Sequence, residues 1–175
     1  SILDLSKAGH QPMMSFDGRF TLTFNGEIYN YKELRQELKS YGYCFKTETD
    51  TEVLLNAFHL WGVECLAKLT GMFAFSVYDR KKNMIILVRD PFGIKPLFYT
   101  QQSDRMIFSS ELNSLIDLIG VKPAPDLQTA YDYLVHSDYD SSERTFFDGV
   151  LNLRPGSYII FDVETKSLSP SKRWW

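Results

Sequence analysis

The sequence predicts an α+β fold in which antiparallel sheets stack between helices. Two observations carry this. The elements run strand, strand, helix, helix and then several strands, which is not the strand–helix alternation of a parallel sheet. Met72-Phe73-Ala74-Phe75-Ser76-Val77-Tyr78 and Met84-Ile85-Ile86-Leu87-Val88 are also apolar on both faces, and a short connection containing the turn Lys81-Lys82-Asn83 joins them. So short a connection makes the pair antiparallel. Strands with two apolar faces must be covered on both, here by helices on one side and a second sheet on the other.

Taken in order, Ser1-Ile2-Leu3-Asp4-Leu5 reads as a short strand and Gly9-His10-Gln11-Pro12 as a turn or loop. Phe20-Thr21-Leu22-Thr23-Phe24 alternates apolar residues with Thr, the period of a half-buried strand. Asn30 and Glu33 have capping-box spacing. Tyr31, Leu34, Leu38 and Tyr41 then form a helical stripe, and Gly42 is the stop signal. A second helix starts from the capping pair Thr49 and Glu52, buries Val53, Leu54, Ala57, Phe58 and Trp61, and ends at Gly62. Leu97-Phe98-Tyr99 and Met106-Ile107-Phe108-Ser109 read as a continuation of the sheet begun by the hairpin. Leu112 to Ile119 and Asp126 to His136 read as helices, the latter carrying Leu127, Ala130, Tyr131, Leu134 and Val135. Tyr158-Ile159-Ile160-Phe161 closes as a strand. Ser137 to Arg144 reads as a polar loop.

A length of 175 residues suits one domain, and 44% hydrophobic residues allow a substantial core. The net charge of −3 argues against a nucleic-acid binder working through a basic surface. No apolar run approaches the roughly 20 residues of a membrane-spanning helix, and no signal-peptide pattern is seen. Cys44 and Cys65 lack metal-type spacing and read as inert reduced thiols, from which a cytoplasmic setting follows. His10, His59 and His136 are scattered. There is no metal-ligand cluster and no glycine-rich phosphate loop. The chain begins without Met on residues that already read as strand, and it stops at Arg173-Trp174-Trp175. Both ends therefore suggest a segment of something longer.

The chemistry concentrates in Phe24-Asn25-Gly26-Glu27-Ile28-Tyr29-Asn30-Tyr31. Asn-Gly after a strand ordinarily makes a hairpin turn, yet a capped helix follows here in place of a return strand. The alternative is a loop that points the Asn25 amide and the bare Gly26 N–H at a developing oxyanion. Glu27 is either a surface carboxylate or a partner for an ammonium group. Asp50 is either a favourable acid in the first turn of its helix or a ligand group. Arg89-Asp90-Pro91-Phe92-Gly93-Ile94-Lys95-Pro96-Leu97 reads as a rigid connection, with Arg89 and Asp90 bracing a tight crossover.

These segments resemble, in order and over nearly the whole chain, the glutamine-hydrolysing domain of asparagine synthetases. That family belongs to the class II, N-terminal-nucleophile glutamine amidotransferases. The matching stretches are Ser1 to Leu5, Gly9 to Met13, Phe24 to Tyr31, Thr49 to Val53, Leu69 to Phe75, Arg89 to Leu97 and Phe108-Ser109-Ser110-Glu111. The resemblance implies a four-layer αββα sandwich of the Ntn-hydrolase type, with residues 1–175 as a partial domain lacking its N-terminal portion. It implies that Asn25 and Gly26 form an oxyanion hole. It further implies that Glu27 and Asp50 bind the glutamine α-ammonium, and that Ser1, Ile2 and Leu3 line the glutamine pocket. The family's nucleophilic Cys, with its free α-amine, and the Arg that holds the glutamine carboxylate would both precede Ser1. Cys44 and Cys65 are internal and cannot take that role.

The implied function is to supply ammonia from glutamine for ATP-dependent amidation of aspartate to asparagine, with this chain inactive alone. The implied partners are glutamine and a C-terminal synthetase domain. No cofactor is implied within this domain, and ATP and Mg belong to the synthetase domain. An unpaired sheet edge beside apolar strands would invite association, a homodimer included. Two other readings stay open: the glutamine-binding domain of another amidotransferase, and a degenerate, non-catalytic glutamine-binding module.

Overall fold

The computed structural model of the chain describes residues 10–138 and 142–175. Strand β1 (Met13–Met14) turns back into β2 (Phe20–Ile28). After two helices, α1 (Tyr31–Ser40) and α2 (Asp50–Trp61), the chain returns as β3 (Gly71–Asp79) alongside β2. It then makes the expected antiparallel hairpin into β4 (Met84–Arg89). The sheet is completed near the C-terminus by β8 (Ser157–Asp162), β9 (Ser167–Leu168) and β10 (Lys172–Arg173), in the order β1-β2-β3-β4-β8-β10 with β9 also on β8. The strand expected at Ser1 to Leu5 lies outside the described residues.

Two sequence expectations are corrected here. The strand expected over Phe20 to Phe24 runs on to Ile28, so Asn25-Gly26 is neither a hairpin turn nor a loop. Both residues lie within the ladder, Asn25 opposite Ala74 and Gly26 opposite Phe73. Leu97 to Tyr99 and Met106 to Ser109 do not continue the hairpin's sheet. They contribute β5 (Phe98–Gln102) and β6 (Arg105–Ser109), which with β7 (Leu151–Asn152) form a separate sheet ordered β6-β5-β7. The cause is the braced crossover between β4 and β5. Asp90 accepts the N–H groups of Phe92, Ile94 and Lys95, while Arg89 donates to the carbonyls of Gly93, Lys95 and Leu153. A turn wound around two buried side chains takes the chain out of one sheet and into the next.

The core is divided accordingly. Leu34, Leu38, Val53, Leu54 and Phe58 of the helices pack on Leu22, Phe73, Phe75 and Val77 of the large sheet. Ala74, Leu87 and Ile159 on its other face meet Leu97, Tyr99 and Leu153. Beyond the small sheet, Leu115 and Ile119 of α3 (Leu112–Ile119) pack with Val150, Phe98 and Ile107. Three apolar seams thus separate helix, sheet, sheet and helix, which is the αββα sandwich. Alternation along β2 explains the division: one side of the strand faces α2, and Thr21, Thr23, Asn25 and Glu27 occupy the other.

The helix caps differ in detail. Thr49 caps α2 by accepting the Glu52 N–H at 3.2 Å. The Glu52 carboxylate does not return to Thr49 and instead holds the N–H groups of Lys46 and Thr47. Asn30 makes no side-chain cap on α1. Its amide bridges to the Lys68 carbonyl and the Thr70 N–H, so it ties β2 to the segment entering β3. Helix α4 (Leu127–His136) forms with Asp126 as its N-cap, but Leu127, Tyr131, Leu134 and Val135 are exposed. The apolar stripe of that helix does not enter any of the three seams.

Candidate functional site

The site is built along β2, and its geometry follows from the ladder. Phe24, Gly26 and Ile28 stand opposite Phe75, Phe73 and Gly71. In an antiparallel pair the N–H groups of alternate residues point to the same side. The Phe24 N–H is accepted by Gln11 Oε1 and the Ile28 N–H by Asp50 Oδ2 at 3.1 Å, both on the side away from β3. The Gly26 N–H lies between them and points the same way. Its opposite number, Phe73, has its own N–H and C=O taken by Asp90 at 3.2 and 2.8 Å. The free edge of β2 therefore presents three donors, the outer two occupied and the middle one without a partner among the described residues.

Glycine at position 26 is a steric requirement. Its φ is +152°, and a Cβ there would lie 2.1 Å from the Met72 carbonyl oxygen. Across the ladder, a Cβ on Gly71 would lie 2.2 Å from the Glu27 carbonyl oxygen. At each of these two positions the opposing backbone comes closer than a Cβ permits, so both must be glycine.

Asn25 projects into a cleft of about 360 Å³ between the two sheets. The cleft is walled by Thr23, Ala74, Ser76, Leu97 and Phe108, and its mouth carries Gln11, Ser109 and Ser110. Its lining holds hydroxyls, amides and apolar groups, with no acid, base or thiol among the described residues. Thr23 and Ser76 hydroxyls bond each other at 2.7 Å. The Asn25 amide has no hydrogen-bond partner among the described residues and is exposed.

Asp50 is buried at the start of α2. Burial is the largest influence on its carboxyl and raises its pKa. The N–H groups of Ile28, Thr51 and Asp50 itself oppose this, and the nearby negative charge of Glu27 reinforces it. A buried acid beside a second acid gains from a cation between them. Next to it, the Thr51 hydroxyl is buried with no hydrogen-bond partner among the described residues. The expected site residues Asn25, Gly26, Glu27 and Asp50 thus lie along one strand edge and the helix terminus that abuts it. Ser1, Ile2 and Leu3 lie outside the described residues. Cys44 is exposed and Cys65 is buried, its thiol pushed up to about 12 by burial and then by Glu64; neither lines the cleft.

Sequence reasoning gave no part to Gln11, which occupies one of the three edge donors, or to the way Asp90 takes the main-chain groups of Phe73. For Asp90 the signal was present: an acid followed by Pro91 and Gly93 suits a wound turn with converging N–H groups. For Gln11 nothing local marked it.

Residues 1–175 match the family described as the glutamine amidotransferase domain. The chain belongs to this family. Asparagine synthetase [glutamine-hydrolyzing] 2 of Bacillus subtilis is 36% identical over 178 residues, covering 99% of this chain and 23% of that protein. Asparagine synthetase [glutamine-hydrolyzing] 1 of the same organism is 47% identical over 116 residues, covering 66% of this chain and 18% of its own length. This amidotransferase domain thus spans less than a quarter of either relative. Among solved structures, glutamine phosphoribosylpyrophosphate amidotransferase from B. subtilis superposes with a TM-score of 0.69 at 22% identity, over 97% of this chain and 33% of that one. At that identity the likeness bears on the fold, and the shared fold is the two-sheet sandwich described above.

Proposed function

We propose that this domain binds glutamine along the free edge of β2 and takes part in its hydrolysis within an asparagine synthetase-type protein. The observation that carries the reading is the Gly26 N–H flanked by the Asn25 amide, neither of which has a partner among the described residues. Two donors held by a paired strand need little reorganisation to meet an oxyanion, the property on which this kind of catalysis depends. Glu27 and Asp50, acids placed next in line, suit the α-ammonium of an amino acid. A nucleophile attacking the side-chain amide would generate the tetrahedral oxyanion beside Asn25 and Gly26, and collapse would expel ammonia.

Among the described residues the cleft contains no activated nucleophile: its hydroxyls have no neighbouring base there, and both thiols are elsewhere. The nucleophile in this reading is a Cys outside these residues, so the 175-residue chain does not hydrolyse glutamine by itself. Ammonia passes to a synthetase domain, where ATP and Mg²⁺ activate aspartate for amidation. The exposed apolar residues of α4 suit contact with such a domain.

Ammonia release from L-glutamine tests the reading, measured on the purified 175-residue chain and on the longer protein that contains it. We expect none from the first and turnover from the second. Turnover by the first that is lost in Asn25→Ala would overturn the assignment of the nucleophile. No turnover by the second would favour a glutamine-binding module without catalysis.

A further inference from the structure

The open edge of β2 is bounded at one end by Asp50 and at the other by Gln11. Strand β1 pairs Met13 with Leu22 and Met14 with Thr21. Carried on in the same register, the ladder would set Pro12 opposite Thr23 and Gln11 opposite Phe24. Pro12 has no N–H to give to such a ladder, and the strand pairing stops at Met13. The Phe24 N–H is met instead by the Gln11 side chain, through Oε1. Gly26 then carries the next N–H along this edge.

The bond to Phe24 decides how the Gln11 amide is turned. A backbone N–H can only donate, so the amide oxygen must face it and the NH₂ group must face elsewhere. Gln11 is half-buried and lines the same cleft as Asn25. Its Nε2 makes no hydrogen bond among the described residues. A donor held in place through its own oxygen, at the wall of a cleft, needs little reorganisation to meet an acceptor there.

Place along the edge narrows that acceptor. Asp50 holds the Ile28 N–H at one end, Glu27, Gly26 and Asn25 follow, and Gln11 holds the Phe24 N–H at the other. With the α-ammonium of glutamine at the acidic end, the α-carboxylate lies there too, on the same carbon. The side-chain amide reaches Asn25 and Gly26, and the acceptor it brings toward Gln11 is its oxygen.

We propose that Gln11 Nε2 donates to the side-chain amide oxygen of bound glutamine as it becomes an oxyanion, a third donor beside Asn25 and Gly26. The proposal rests on the glutamine reading and adds to it a residue contributed from outside β2.

Gln11→Glu separates the two arms of the side chain. It keeps an oxygen for the Phe24 N–H and replaces the NH₂ with a second oxygen. In the longer protein that contains this domain, kcat for ammonia release from L-glutamine should fall by about 10²-fold or more, with KM little altered and the melting temperature unchanged. Protonation of the introduced carboxyl restores a donor. The ratio of variant to wild-type kcat should therefore rise as pH falls from about 7 toward the ordinary Glu pKa of about 4.3. Gln11→Met removes both arms and should lower the melting temperature as well as kcat, with no such rise. Wild-type kcat in Gln11→Glu would overturn the proposal and leave Gln11 a strand-edge residue only. A loss of kcat that does not recover at low pH would overturn it too. No turnover by the wild-type protein would overturn the glutamine reading itself, and this proposal with it.

Discussion

Asp90 takes both main-chain polar groups of Phe73. Its Oδ2 accepts the Phe73 N–H at 3.2 Å, and its own N–H donates to the Phe73 carbonyl at 2.8 Å. The same carboxylate accepts the N–H groups of Phe92, Ile94 and Lys95. One fully buried side chain therefore shapes the crossover between sheets and satisfies the Phe73 main chain on the side away from β2. Asp90→Asn keeps the shape but turns an NH₂ donor toward N–H donors. Leaving buried donors unpaired costs about 1–3 kcal/mol each, so we expect Asp90→Asn to lose about 3 kcal/mol or more. Urea unfolding measures this, and an unshifted midpoint would contradict the role given to Asp90.

Gly26 admits no side chain. Gly26→Ala would place its methyl 2.1 Å from the Met72 carbonyl oxygen, in a backbone conformation that L residues rarely adopt. The contact is with backbone, so no side chain can swing aside to relieve it. The ladder between β2 and β3 must part, at a loss of about 3 kcal/mol or more. The expected outcome is a lower melting temperature together with faster amide exchange at Met72 and Phe73. Wild-type stability would show that the strands are not this close.

The turn between β1 and β2 carries the clearest pH dependence. Asp17 has its carboxyl pulled down to about 2, chiefly by the Ser15 hydroxyl at 2.6 Å, against the opposing effect of burial. The Arg19 N–H and His59 add to the lowering. A carboxylate whose folded pKa is depressed binds fewer protons folded than unfolded. Its contribution is therefore present above the ordinary carboxylate pKa of about 3.9 and lost as pH falls toward about 2. Asp17→Asn should flatten the fall in stability across that window and leave the neutral-pH slope unchanged. Thermal melts from pH 5 to about 2 would show it. An identical acid limb in the two proteins would contradict it.

Much of the layer order was legible because burial on both faces leaves a mark in composition. The strands at Met72 to Tyr78 and Met84 to Val88 are apolar throughout, and nothing but a sheet and helices can cover such a pair. The small sheet was not separable from the large one. Its strands look like any others, and what divides them is the hydrogen bonding of Arg89 and Asp90, which acts at a distance in sequence. Asn25-Gly26 misled for a related reason. As a dipeptide it carries a turn signal, but the steric demand of Met72 and the register with β3 decide its conformation. Local propensity yields where tertiary contact is this close. The stripe on α4 was legible as a helix, but the pattern did not say that it would remain uncovered.

In the proposed function the edge of β2 stabilises an oxyanion. The most direct measurement is kcat for ammonia release from L-glutamine by the longer protein, wild type against Asn25→Ala. Asn25 is exposed and its amide holds nothing else among the described residues, so the substitution should leave the melting temperature nearly unchanged. Removing one oxyanion donor typically lowers kcat by about 10²–10³-fold, and that loss, with KM little altered, is the predicted result. An unchanged kcat in a normally folded Asn25→Ala protein would contradict the claim.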